Sequence, residues 1–308
     1  MINKGFNKIA GAIKTLTPLL SVILFLFLIT SCRQKEQKQD FSDMVYEAEA
    51  DIQDELDQIK SIFYDIYSPI EAQRLFKNLN VVFDKDILNP VENIYKYNTS
   101  NKNAINLGVY GANMSFSHMF GQTQEAINYM SAIYRLADRL GISDNIVSEA
   151  ENIRDRLIYD PDTLFKVASN IYISADKQLK ESGRSGAASL ILAGGWIEAI
   201  YIASSFYEVD NPDPNLAEQI LTQKYSLDRL LALLSNHQDD EFTAKYILML
   251  RQLKNHFDSV DILFEQDDLV IDTTNRTIES ARPQFVYTDK QIADIANLVN
   301  YIRNDMVN

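Results

Sequence analysis

Glu198 is the single charged residue between 185 and 207, the most apolar segment beyond residue 32. A carboxylate in such surroundings without a partner has its pKa raised by desolvation, and it could then give or take a proton near neutral pH. A second charge-poor segment, 103–122, offers side chains that could meet it. Lys102 and Glu125 enclose 22 residues with no formal charge when His118 is neutral. On a helix, Asn106, Tyr110, Asn113 and Ser117 share one stripe, and Gly111, Ser115 and His118 share another. Both segments are expected as helices, central and adjacent. Gly108, Gly111 and Ala112 in one, and Gly186, Gly194 and Gly195 in the other, are small residues of the kind that let a backbone or a ligand come close. Two readings follow. In the first, the amides, hydroxyls and Glu198 satisfy one another across the helix interface and fix its register. In the second, Trp196, Tyr110 and Tyr201 line a pocket between helices 103–122 and 185–207, with Asn113, His118 and Glu198 as its polar contacts. The protein would then be a small-molecule receptor or an enzyme.

Other chemistries are poorly supplied. The histidines are His118, His237 and His256, and no two fall at a ligand spacing on one helix, so neither a metal nor a cofactor is expected. His237 with Asp239, Asp240 and Glu241 has donor types for a cation, yet those acids also suit the N-terminus of a helix beginning there. The acidic run 265–268 lacks the alternating oxygen donors and central glycine of a calcium loop and reads as solvated surface. There is no Gly-x-Ser-x-Gly, no Gly-x-Gly-x-x-Gly and no phosphate loop. Enzyme classes built on those devices are disfavoured, and no catalytic residue is assigned.

Cys32 is the only cysteine. Lys4, Lys8 and Lys14 precede an apolar run from Leu19 to Ile29, and no acidic residue appears before Glu36. That order is the order of a secretory signal. The run is shorter than the roughly 20 residues a membrane-spanning helix needs. Its end, Ile29-Thr30-Ser31-Cys32, resembles the lipobox of bacterial lipoproteins. The resemblance covers the first 32 residues. It implies a signal peptide, 1–31, removed before Cys32, a diacylglycerol on the cysteine sulfur and acylation of the new amino group. More than one acyl chain gives a stable anchor. Arg33 is not the aspartate that retains many such proteins in the inner membrane. The resemblance therefore favours the outer membrane of a Gram-negative cell and leaves the face, periplasmic or external, open.

Loss of the three lysines in the first 31 residues would take the formal charge from −14 to about −17. Nucleic acid and anionic lipid surfaces are poor partners for such a chain. With its one cysteine lipidated, the domain has no disulfide and must be held by its core. The polar stretch 33–40 is a tether that reaches some 25 Å when extended. Residues 41–308 are expected as a single all-α domain, an irregular bundle of about eight to ten helices.

Its elements are marked locally. An amphipathic helix is expected over 41–67, then one opened by Ser68-Pro69 and a short one opened by Asn89-Pro90. A helix from Thr123 ends at Gly141-Ile142 in the form of a Schellman cap. Further helices are expected over 143–157, 161–181, 214–234 and 239–264, with the last opened by Thr288 and Gln291 as a capping box. The stretch 269–287 has β-branched residues and no helical stripe, and it is expected as a long loop with two short strands. The helix pairs suggest a tetratricopeptide-like stack, but that family's tryptophan, leucine-glycine and tyrosine pattern is missing. The function expected is that of a lipid-anchored binding or scaffolding module of the cell envelope. Its membrane contact is through Cys32, and its partner is an envelope protein or polymer.

Overall fold

A computed structural model describes residues 81–142, 175, 177–263, 269–272, 277–280 and 284–308. The signal segment, Cys32, the tether, the helices expected over 41–67 and after Ser68, those over 143–157 and 161–174, and the acidic run 265–268 lie outside the described residues. The architecture is all-α with short antiparallel ladders. A 3-10 helix, Val91–Lys96, leads into α1 (Ser100–Met119), α2 (Thr123–Arg139), α3 (Ser185–Ser204), α4 (Pro214–Ser235) and α5 (Glu241–Asp258). Four strands follow: β1 (Asp261–Leu263), β2 (Leu269–Asp272), β3 (Thr277–Ser280) and β4 (Gln284–Val286). Helix α6 (Asp289–Val307) closes the chain.

Short-range chemistry sets most of these boundaries. The Thr99 hydroxyl accepts from Lys102 N–H, Asp213 accepts from Asn215 and Leu216 ahead of Pro214, and Thr288 and Gln291 form a complete capping box. The expected Schellman cap is present at the end of α2. Gly141 N–H donates to Asp138 O and Ile142 N–H to Ala137 O, both at 2.9 Å, with Gly141 at φ 68°. A positive φ of that size suits glycine and strains other residues.

Helices α1 and α3 are adjacent, as expected, and their crossing is the centre of the bundle. Each packs on further elements: α1 on α2, and α3 on α4 and α6, while α5 lies between α4 and α6. The approach is backbone to backbone. A Cβ at Gly108 would overlap Ile191 O and lie 2.7 Å from Gly195 N, and a Cβ at Gly194 would overlap Ile105 O. Helix α3 is apolar on every side, and Leu190, Ile191, Trp196, Ile197 and Ile200 are all buried.

Two expectations are corrected, and a third is met. The helix expected over 239–264 stops at Asp258, where Gln291 Nε2 donates to Ser259 O at 2.6 Å. Residues 261–263 then form β1, with Ile262 opposite Phe285 of β4. The apolar spacing of Phe257, Val260 and Leu263 continues a helical period, but cross-strand pairing of the β-branched run prevails over it. The two short strands expected over 269–287 are present as β2 and β3, with Ile271 opposite Ile278, and β4 follows them to pair with β1. Finally, Asn89 does not cap the helix after Pro90. Its side chain donates to Tyr97 Oη at 2.9 Å and accepts from Asn93 Nδ2 at 2.8 Å.

Candidate functional site

Glu198 lies in the middle of α3 and is 0% exposed. An ionised carboxylate in that position requires compensation. Arg303 supplies it from α6: its Nε donates to Oε2 at 3.0 Å and its Nη2 to Oε1 at 3.3 Å. Nη2 also donates to Ile87 O at 3.3 Å, and the guanidinium carbon sits 4.6 Å from the centre of the Tyr201 ring. With its amide nitrogen turned to the carboxylate, Asn113 of α1 donates to Glu198 Oε1 at 2.7 Å, and its oxygen accepts from Asn89 N–H at 3.1 Å.

Burial pushes the Glu198 carboxyl above the ordinary carboxylate range, while Arg303 and Asn113 pull it back down. Burial also acts to lower the pKa of Arg303, but the facing carboxylate outweighs it and holds the guanidinium above its usual value. A guanidinium keeps its proton at any physiological pH, so with a bond to each oxygen the pair is ionic. Both oxygens are already engaged, and the geometry gives Glu198 no open face for proton transfer.

The network extends to the C-terminal end of α6. Tyr97 Oη, which accepts from Asn89, donates to Val307 O at 3.4 Å, and Asn106 Nδ2 of α1 donates to Met306 O at 2.8 Å. These two side chains satisfy carbonyls that the last helical turn leaves unpaired. Asn106 Oδ1 is buried and has no partner among the described residues. The result is a polar seam that joins the segment before α1, α1, α3 and α6 through bonds that each require one register.

The structure separates the six residues singled out in the two charge-poor helices. Asn113 and Arg303 both donate to Glu198, and Tyr201 lies against the Arg303 guanidinium. Tyr110 is buried and donates to Pro90 O at 3.0 Å, its ring 6.2 Å from that of Tyr97 and 5.8 Å from that of Tyr129. Trp196 turns to α4, where its indole N–H donates to Ser226 Oγ at 2.9 Å. His118 is half-buried on the last turn of α1, and burial lowers its pKa below the ordinary imidazole value. Among the described residues it makes no hydrogen bond or ion pair with the other five. Asp240, one of the acids near His237, caps α5: its Oδ1 accepts Thr243 N–H at 2.8 Å and Asn101 Nδ2 at 3.2 Å. Among the described residues no three His, Cys, Asp or Glu side chains gather as a metal site.

Arg303 is the member that reasoning from the two charge-poor helices misses. The signal is in the sequence: Arg303 lies four residues after Val299 and three before Met306, on the apolar face of the last helix. A cation on a core face needs a buried anion, and Glu198 is the lone carboxylate in an apolar run.

Replacing Ser226 with alanine leaves the indole N–H of Trp196 buried without its acceptor. The expected loss is about 1–3 kcal/mol in urea unfolding. Trp196 is the only tryptophan, so native-state fluorescence reads the same change directly. Unaltered emission together with unaltered stability would mean that this bond does not hold in solution.

No protein-family model matches the chain, and neither does any curated protein or solved structure.

Proposed function

We propose that this protein is a lipid-anchored helical binding or scaffolding module of the cell envelope, carried on the outer membrane of a Gram-negative bacterium, whose partner is an envelope protein or polymer. The observation that carries this reading is Ile29-Thr30-Ser31-Cys32 at the end of a basic and then apolar leader, with the only cysteine of the chain in the lipidated position. Two further observations support attachment through lipid. The chain is strongly acidic, which disfavours direct contact with an anionic membrane surface. Gly186–Ser204, the one described helix long and apolar enough to cross a bilayer, is 78% buried inside the protein and is occupied as a core helix. A binding role, rather than catalysis, accords with a central carboxylate committed to an internal ion pair.

Metabolic labelling with an alkyne fatty acid tests the anchor. The wild-type chain is expected to take the label and enter the detergent phase on phase separation, and Cys32→Ser is expected to lose both properties. Equal labelling of the two chains would remove the reading. Its binding half is tested by crosslinking in cells followed by mild-detergent isolation. A chain that always elutes alone at monomer size and crosslinks to nothing would overturn it.

A further inference from the structure

We infer that the outer face of α6 is a binding strip for neutral saccharide chains. Asn297, Asn300, Tyr301 and Asn304 are exposed along this helix at successive turns and Asn308 is exposed at its C-cap, over about 16 Å at 1.5 Å per residue. None carries a charge, in a chain whose net charge is −14. The charged residues of α6 have bonds of their own, and the surface pair Lys290–Asp294 precedes the strip on the same side of the helix. Arg303 is turned inward on Glu198, Asp305 takes Lys245 Nζ at 2.6 Å and Tyr246 Oη at 2.8 Å, Asp294 takes Lys290 at 2.6 Å, and Asp289 accepts from Tyr207 Oη at 2.7 Å. The strip's own side chains are therefore polar and uncharged, and the acids nearest to them, Asp294 and Asp305, are each paired with a lysine.

Its side chains fit a saccharide. An asparagine amide presents an acceptor oxygen beside two N–H donors, a pair that matches neighbouring sugar hydroxyls. Asn304 Nδ2 donates to Asn300 Oδ1 at 3.0 Å and Asn308 Nδ2 to Asn304 O at 2.8 Å, which lines the amides up along the helix. Tyr301 is 61% exposed and offers a ring face on which the C–H side of a sugar could stack. Lys245 of α5 donates to Asp305 of α6, and Gln291 of α6 donates to the Ser259 carbonyl just past the end of α5, so the two helices run antiparallel and Leu248, also 61% exposed, falls at about the height of Tyr301. A protein interface of comparable size is built around a buried apolar core with aromatic anchors, whereas amides predominate here. A second copy is opposed by the repulsion of two strongly acidic chains. A polyanionic chain is opposed for the same reason.

The inference rests on the envelope reading, because it names the polymer as the partner class. The full chain, held in a detergent without a sugar headgroup, is titrated calorimetrically with neutral tetrasaccharides of N-acetylglucosamine and of glucose. At least one is expected to bind. Tyr301→Ala and the double variant Asn300→Ala, Asn304→Ala are each expected to weaken it about tenfold. Tyr225→Ala, which alters an exposed tyrosine on α4, is expected to leave it unchanged. No binding of either sugar by the wild-type chain, or equal loss in Tyr225→Ala, overturns the inference. So does a concentration-dependent dimer in sedimentation that Tyr301→Ala abolishes, since the strip is then a self-interface. The lipid-labelling result separates the two readings: a labelled chain that ignores saccharides removes this inference alone, and an unlabelled chain that binds them removes the anchor alone.

Discussion

Arg303→Met destabilises the fold by about 3–5 kcal/mol at neutral pH, the cost of leaving a buried carboxylate without its cation. The loss is large because Glu198 is 0% exposed and no water can replace the guanidinium cheaply. It also acquires a pH dependence. In the variant, burial is opposed only by Asn113 and the Asn89 side of the seam, so the folded-state pKa of Glu198 rises further above the unfolded value. Folding then takes up a proton between those two values. Stability of the variant relative to wild type is highest below the ordinary carboxylate pKa and falls as pH rises above it. Urea unfolding at pH 5 and at pH 8 measures this, and the deficit should be larger at pH 8. Adding Glu198→Leu removes the charge and the pH dependence together. Recovery is incomplete, because Asn113 Nδ2 and Ile87 O lose their partners at about 1–3 kcal/mol for each group left buried and unpaired. A single variant with wild-type stability at both pH values would show that the ion pair is not buried in solution.

How far the molecule was legible depended on how far apart the deciding residues lie. The cap at Gly141-Ile142 and the capping box at Thr288 are set by residues a few positions apart, and both are found where the sequence puts them. The apolar character of 185–207 needs no partner to be read, and α3 is indeed the buried helix. The Glu198–Arg303 pair spans 105 positions, and no local rule links its members. Only the separate oddity of each, a carboxylate in an apolar run and an arginine on an apolar face, points to the other. The β1–β4 ladder was hidden for a different reason. Val260 and Leu263 satisfy the helical period of α5 equally well, and the choice was made by Phe285, which pairs with Ile262 from the far side of the hairpin. The six candidate residues were dispersed for a third reason. Sharing a helix stripe gives a direction but not a neighbour, so Trp196 and Tyr110 went to Ser226 and Pro90 while Asn113 alone reached Glu198.

The glycines carry the same ambiguity, and substitution resolves it. Gly108, Gly111 and Gly194 are alike in sequence, each a glycine within a charge-poor helix, and in each a change to alanine favours the helix by about 0.5–1 kcal/mol in isolation. In the fold they are not alike. At Gly108 a Cβ overlaps the carbonyl oxygen of Ile191, and at Gly194 it overlaps that of Ile105, whereas at Gly111 it meets nothing within 4 Å. A flexible side chain could swing away from such an overlap, but a helix backbone moves only by separating α1 from α3. That separation loosens the packing of Ile105, Ile191 and Val109, all of them buried, and it strains the Asn113–Glu198 bond that joins the same two helices. The overlap therefore outweighs the gain in helix propensity. Gly108→Ala and Gly194→Ala are each expected to cost about 2–4 kcal/mol, and Gly111→Ala to stabilise by up to about 1 kcal/mol. Thermal unfolding of the three variants reads this as opposite shifts, roughly 5–12 °C downward for the first two against a small rise for the third. If all three moved the same way, the helices would not cross at these glycines.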